Sequence, residues 1–180
     1  MTREAPARPD PSSALCTRCG LCCDGTLFAD VELAGRAEAA SVALLGLEVE
    51  DDPGEPALLV QPCTALRARR CTVYAHRPGC CRTFECRLLR DVRGGAVASA
   101  QALEHVREAR SLVRRAEALL ARLRAGRPRW PLGERVATAL SAPATGASAL
   151  RAQTELHATH RALEALLRAV FLGPRGPRRR

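Results

Sequence analysis

The sequence predicts a mainly α protein with one small β-hairpin, in which an irregular cysteine-rich domain precedes an amphipathic helical pair. Three observations carry that expectation. Apolar residues recur at steps of three and four along residues 99–124 and again along 149–172. Two short apolar runs flank the turn-forming string Asp51-Asp52-Pro53-Gly54-Glu55-Pro56. Nine cysteines, the last of them Cys86, interrupt the chain upstream of the helices.

Taken in order, residues 1–13 contain Pro6, Pro9 and Pro11 and no apolar run, so they read as a disordered N-terminus and cannot serve as the hydrophobic region of a secretory signal. The run CTRCGLCCDG, residues 16–25, follows. Asp30 can then cap a helix whose buried face is Val31, Leu33, Ala34, Ala37 and Leu44 or Leu45. The hairpin falls within residues 46–63. Over 63–90, Pro62 and Pro78 interrupt any long helix, so an irregular stretch is expected, held by whatever its sulfurs bind. Residues 91–97 read as a turn with a strand.

The long helix, Ser99 to Arg124, buries Leu103, Val106, Ala109, Val113, Ala116, Leu120 and Leu123. Two prolines and two glycines in residues 126–133 end it. A turn of helix at Glu134–Leu140 and a Ser/Ala/Pro/Gly stretch complete a linker region near 126–147. The last helix, Ala149 to Leu172, places Leu150, Leu156, Leu163, Leu166 or Leu167, and Val170 on one side and stops at Gly173-Pro174. The implied organisation is a disordered start (1–13), a cysteine domain (14–92), a helical region (93–172) and a basic disordered tail (173–180). Both helices read as packing against each other or over the cysteine domain. A helical face for a protein partner is the alternative.

Net charge is +9, which invites a nucleic-acid reading. All 28 basic residues are Arg, however, and the chain has no Lys, Ile or Asn, the usage of a GC-rich coding sequence. Residues 1–90 carry 11 Arg against 12 acidic residues, and residues 91–180 carry 17 against 7, so the basic half is not the cysteine half. Nucleic acid is therefore not the expected partner. No apolar stretch approaches the roughly 18 residues that a membrane span needs. A soluble, cytoplasmic protein is expected.

Three chemistries compete for the cysteines. Disulfides are disfavoured by a cytosolic setting, by the odd number and by the strain of joining neighbours such as Cys22 and Cys23. A catalytic thiol needs a nearby base, and His76 alone of the four histidines lies within the cysteine region; one nucleophile would leave eight sulfurs unexplained. Metal binding explains the spacing directly. Cysteines three positions apart, as Cys16 with Cys19 and Cys19 with Cys22, can turn both sulfurs to one centre, and thiolate is the ligand that zinc and iron clusters share.

Cys22 and Cys23 are adjacent, and adjacent residues tend to project in different directions, so they sit more easily on two metals, or on one metal plus a bridge, than in one regular tetrahedron. With Cys63, Cys71, Cys81 and Cys86 the thiolates reach eight, enough for two four-sulfur sites or one multinuclear centre. Four thiolates around a divalent ion leave a charge of about −2, costly to bury without partners. Arg77 and Arg82 are placed to donate hydrogen bonds to sulfur from around the ligands. His76 reads as an exposed or hydrogen-bonding residue, and His157 and His160 as ordinary helix-surface histidines. The ferredoxin signature matches only to its third cysteine, since Cys22 is followed by Cys23 and Asp24.

The string Cys16-x-x-Cys19-Gly20-x-Cys22-Cys23, then Cys63, then Cys71-x-x-Tyr74-x-x-Arg77-Pro78-x-x-Cys81-Arg82-x-Phe84-x-Cys86 resembles the CxxCxxCC family of zinc- or iron-chelating proteins, the YkgJ-type cysteine-cluster proteins. The resemblance spans residues 16–90. It implies eight cysteine ligands, a bacterial origin and a cofactor that is zinc or an iron–sulfur cluster. Cys80 departs from the pattern beside Cys81, and the spacing to Arg77-Pro78 and Arg82 favours Cys81 as the ligand. Closed thiolate coordination favours a structural site or a metal carrier over an enzyme, because a catalytic metal keeps an open position. An iron–sulfur redox enzyme or transferase and a zinc module docking on nucleic acid are the alternatives.

Overall fold

The computed structural model describes residues 11–125 and 127–173. The disorder expected of residues 1–10 and of the tail beyond 173 falls outside the described residues. Helix α1 (Pro11–Cys19) starts inside the stretch read as disordered and carries the first two cysteines. Proline suits a first turn, where its missing N–H would have no partner anyway. Leu15, almost fully buried, anchors that helix on the core.

The expected hairpin is present as β2 (Val49–Glu50) and β3 (Leu58–Val60), and it gains a third strand, β1 (Asp30–Glu32). The order is β1-β3-β2, antiparallel throughout, with Val31 opposite Leu59 and Val49 opposite the same residue. Asp30 therefore does not cap a helix. The free edge of β3 takes up the backbone of residues 30–32, which satisfies hydrogen bonds that a short solvent-facing helix would not. Helix α2 (Arg36–Leu44) begins only after Gly35, whose φ of 134° breaks the strand. Its Glu38 carboxylate accepts the Ala34 N–H at 2.8 Å, closing the first turn from the third position. Ala39 and Val42 are the buried residues of α2, whereas Leu44 is 90% exposed, contrary to the face expected from the sequence.

Residues 63–90 are more regular than their prolines suggest. A two-residue hairpin joins β4 (Leu66–Arg67) to β5 (Arg70–Cys71) through Ala68 and Arg69, both at positive φ, the geometry that matches strand twist. A 3-10 turn (Tyr74–His76), α3 (Gly79–Thr83) and α4 (Arg87–Arg93) follow. The strand expected within 91–97 is absent. Asp91 to Arg93 complete α4, and the Asp91 carbonyl accepts the N–H groups of Ala96 and Val97 instead.

Helices α5 (Ser99–Arg122), α6 (Leu132–Ser141) and α7 (Ala147–Leu166), the last extended by a π-helical turn (Leu167–Leu172), form the remainder. Val106, Ala109, Val113, Ala116 and Leu120 are buried on α5 as the periodicity requires, and Leu103 and Leu123 are half-buried. On α7 Leu156 and Leu163 are buried, but Leu150 is 58% exposed. That position lies in the first turn, before α7 reaches its neighbours.

Two apolar clusters result. The larger joins Leu15, Leu21, Leu88 and Leu89 to α5, α6, α7 and Phe171, so the long helices and the cysteine region share one core. The smaller lies between α2 and the three-stranded sheet and holds Leu33, Ala39, Val42, Leu47, Ala57, Leu59 and Ala65. Polar clamps fasten the larger one. Arg135 grips Glu117 through two hydrogen bonds of 2.7 and 2.6 Å, and Arg110 of α5 pairs with Asp24 in the cysteine loop. No helix among the described residues is long and apolar enough to cross a membrane.

Candidate metal centre

The four cysteines of residues 16–23 are wound on two consecutive turns. α1 ends at Cys19, and Gly20, with φ of 71°, donates its N–H to the Cys16 carbonyl (3.2 Å). The Gly20 carbonyl then accepts the N–H groups of Cys23 (3.0 Å) and Asp24 (3.1 Å). A side chain at Gly20 would meet Arg69 Cβ at 3.2 Å, so the β4–β5 hairpin leans on this turn. Leu21, completely buried, nails the turn to the larger core.

The distant cysteines are brought up by separate devices. The Cys63 N–H donates to the Cys23 carbonyl at 2.8 Å, which sets these two residues side by side across forty positions of sequence. Cys71 ends the β4–β5 hairpin, paired with Leu66, whose own N–H donates to Cys63. Cys80 and Cys81 lie on α3 with their sulfurs 4.0 Å apart. Cys86 caps α4, its sulfur accepting the Leu89 N–H at 3.4 Å.

These placements divide the sulfurs. Cys19 feels the charges of Cys86 and Cys16, and Cys22 those of Cys19, Cys86, Cys23 and Cys16. Cys23, one residue on, feels Cys63 and Cys71, and Cys81 feels Cys80, Cys23 and Cys63. The packing divides the same way: Cys19, Cys22 and Cys86 lie against the larger apolar cluster, and Cys63, Cys71, Cys80 and Cys81 against the smaller. One neighbourhood is thus Cys16, Cys19, Cys22 and Cys86, and the other is Cys23, Cys63, Cys71, Cys80 and Cys81. The boundary runs through the peptide bond between Cys22 and Cys23. The sulfurs are neighbours rather than a formed shell, for among the described residues no three His, Cys, Asp or Glu side chains form a group that could hold a metal ion as they stand.

Burial pushes the Cys19 and Cys23 thiols from 9.0 up to about 12, and it lifts Cys22, Cys63 and Cys86 as well. The hydrogen bond shared by Cys80 and Cys81 holds Cys81 well above the ordinary thiol value and Cys80 below it. A metal must displace these protons, so affinity rises with pH. Without metal the sign reverses. Cys19, on the larger cluster that stays packed without metal, binds its proton more tightly folded than unfolded, so its contribution to stability is whole below pH 9.0 and drains away as pH climbs from 9.0 towards about 12. Thermal melting of the metal-free protein's helical core should give a lower midpoint above pH 9.0 than near neutrality; equal midpoints would contradict the burial of this thiol.

Arg77 and Arg82 occupy different surroundings. Arg77 donates to the Tyr74 carbonyl (3.1 Å) and the Cys81 carbonyl (3.4 Å), stacks 3.7 Å from the Tyr74 ring centre and lowers the cost of charge on Cys23. Arg82 is exposed and bears on Glu38. His76 is exposed. Phe84 meets Phe28 edge to face at 5.1 Å, packing that closes the turn after α3.

Three supports escaped the sequence reading. Asp24 accepts the Thr26 N–H at 3.0 Å while pairing with Arg110, and so ties the end of the cysteine run to α5. Glu38 accepts the Gly79 N–H at 2.7 Å and thereby fixes the start of α3 from across the smaller cluster. Glu38 had a local signal, its place three residues after Gly35 at the head of a helix. Arg110 had none, being one arginine among many on a helix.

No curated protein and no solved structure matches the chain. Residues 15–106, just over half of it, match the CxxCxxCC family, described as "Putative zinc- or iron-chelating domain". The matched span takes in the second half of α1, the sheet, the β4–β5 hairpin, the short helices α2, α3 and α4 and the first turns of α5, where Ala102 and Val106 pack with Leu15 and Leu88 in the larger core. With nine cysteines gathered inside that span, the chain belongs to the CxxCxxCC zinc- or iron-chelating family.

Proposed function

We propose that this protein binds two metal centres through eight thiolates, one through Cys16, Cys19, Cys22 and Cys86, the other through Cys23, Cys63, Cys71 and Cys81. The observation that carries the reading is the packing of Cys19, Cys22 and Cys86 on the larger apolar cluster and of Cys63, Cys71 and Cys81 on the smaller, with the Cys63 N–H on the Cys23 carbonyl. The donor chemistry fits zinc or an iron–sulfur cluster, since each quartet offers four soft sulfurs. Cys81 is preferred to Cys80 because its spacing to Arg77-Pro78 and Arg82 fits the family pattern. When bound, the metal of the second centre supplies a cross-link between segments that share little apolar packing. Arg77 offsets negative charge at Cys23, and Arg90 does so at Cys86.

The centres are structural or serve as metal carriers, because four thiolates close the coordination shell. Thiolate ligation of this kind suits a reducing compartment such as the cytoplasm, where stable disulfides are rare. The test is metal content of protein purified without oxygen, on the parent and on Cys19→Ser and Cys71→Ser. Two metals in the parent, one in each variant and none in the double variant are expected. Loss of all metal from either single variant would mean one multinuclear centre instead. Iron with acid-labile sulfide would identify iron–sulfur centres and direct attention to redox or transferase chemistry.

A further inference from the structure

Helix α2 is apolar on both sides. Ala39 and Val42 pack into the smaller cluster, yet after Glu38 the chain carries no charged residue until Glu48, and the outer positions Ala37, Ala40, Ser41 and Leu44 are all exposed. A helix facing water ordinarily carries charge on its outer side, and one that is apolar all round is a buried one. Leu44 and Leu45 are among the large apolar side chains that the described residues leave uncovered.

This face does not stand alone. Ala37, Ser41 and Leu45 line an open groove of about 580 Å³. His76, Arg77 and Pro78, in and just after the 3-10 turn, line it from the opposite segment together with Arg82 of α3. The two segments are tied to each other, because the Glu38 carboxylate of α2 accepts the Gly79 N–H at 2.7 Å. Its second oxygen accepts the Ala34 N–H at 2.8 Å. Arg77 donates to the Tyr74 and Cys81 carbonyls and stacks on the exposed Tyr74 ring, and Arg82 is exposed. Two guanidinium groups therefore stand against one carboxylate whose oxygens are already taken by backbone N–H groups. The groove sets excess positive charge beside an uncovered apolar face, and Tyr and Arg are the residue types that most often carry binding energy at an interface.

We propose that this groove docks a linear segment of a partner protein that presents an acidic side chain next to a large apolar one. The apolar side chain covers the outer face of α2 between Ala37 and Leu45, and the acidic one meets Arg82 with His76 beside it. A second copy of this chain suits the groove poorly, since Arg77 and Arg82 of one copy would face the same residues of the other, and like charges juxtaposed across an interface are costly. Phosphate alone would leave Leu44 and Leu45 uncovered. The proposal holds for any number of bound metals.

The probe is a synthetic array of random 12-residue peptides, incubated with the protein as purified under reducing, oxygen-free conditions. Peptides that bind should pair Asp or Glu with a large apolar residue. In solution their affinity should fall about tenfold or more in Arg82→Glu and in Leu45→Ser, and change by less than about twofold in Arg161→Glu and Leu150→Ser, which alter charge and an exposed leucine on α7. Arg82 is exposed, so its replacement leaves the fold intact, and unchanged metal content and far-ultraviolet circular dichroism verify this for each variant. An array with no bound peptide overturns the proposal, as do bound peptides that lack an acidic residue. Equal losses in Arg82→Glu and Arg161→Glu overturn it too, because the attraction would then come from the net charge of +9 and not from the groove. Self-association of the parent that Leu45→Ser abolishes would make a second copy the occupant and overturn it as well.

Discussion

Removing the metal with a chelator under reducing conditions should release the sheet and its cysteine loops while α5 and α7 stay packed. The two apolar clusters explain the difference. The smaller one has only four large buried side chains, Leu33, Val42, Leu47 and Leu59, with three alanines, and the rest of its lining is Val49, Val73 and the four cysteines Cys63, Cys71, Cys80 and Cys81. Its strands are two and three residues long, well short of what holds a sheet together without help. A structural zinc ion contributes roughly 10 to 16 kcal/mol to folding in small domains, comparable to a typical domain's whole stability. The larger cluster runs through α1, α4, α5, α6 and α7 and needs no such cross-link. Hydrogen exchange with and without chelator reads this directly: amides of β1, β3 and α3 should lose protection, and those at the centre of α5 should keep it. Unchanged protection throughout would show that metal does not support the fold.

Leu21→Ala should cost about 3 kcal/mol, within the range for a buried leucine truncated in a packed core. The residue is fully buried in the larger cluster and sits between Cys19 and Cys22, so the void opens beneath the turn that carries the first sulfurs. The Leu21 carbonyl also accepts the Leu27 N–H at 3.0 Å, which couples the void to the loop that follows. Denaturant melts of the metal-loaded protein measure the cost. Zinc titration should show weaker binding at Cys16, Cys19, Cys22 and Cys86, with the second site little changed. A loss equal at both sites would mean that the larger core does not position the first neighbourhood separately.

Much of the fold was legible because its signals are local. The 3.6-residue period of Val106, Ala109, Val113, Ala116 and Leu120 defines α5 without reference to anything else. The Asp-Pro-Gly string marks the hairpin for the same reason. Residues 30–32 misled because a strand's partner is remote. Asp30 before an apolar run is a fair helix start, and only the unpaired edge of Leu58–Val60 makes a strand the better solution. Leu44 misled in a similar way, since α2 turns Ala39 and Val42 to the sheet and is too short to bury a second row.

The cysteines divide along the same line. Their number, their spacing and the vicinal pair Cys22-Cys23 announced a thiolate-rich centre and the family pattern, because ligand type and short-range spacing are properties of the chain itself. Which sulfurs become neighbours was decided by the tertiary structure. Cys86 joins Cys19 because α4 packs on α1, and Cys63 joins Cys23 through one backbone hydrogen bond across forty residues. Cys80 and Cys81 meet the smaller cluster on a helix whose start Glu38, far away in sequence, fixes. Composition and periodicity act over a few residues and determined the elements and the chemistry. Pairings across the chain depend on which remote groups can satisfy one another's hydrogen bonds and apolar faces, and only the packed structure settles that.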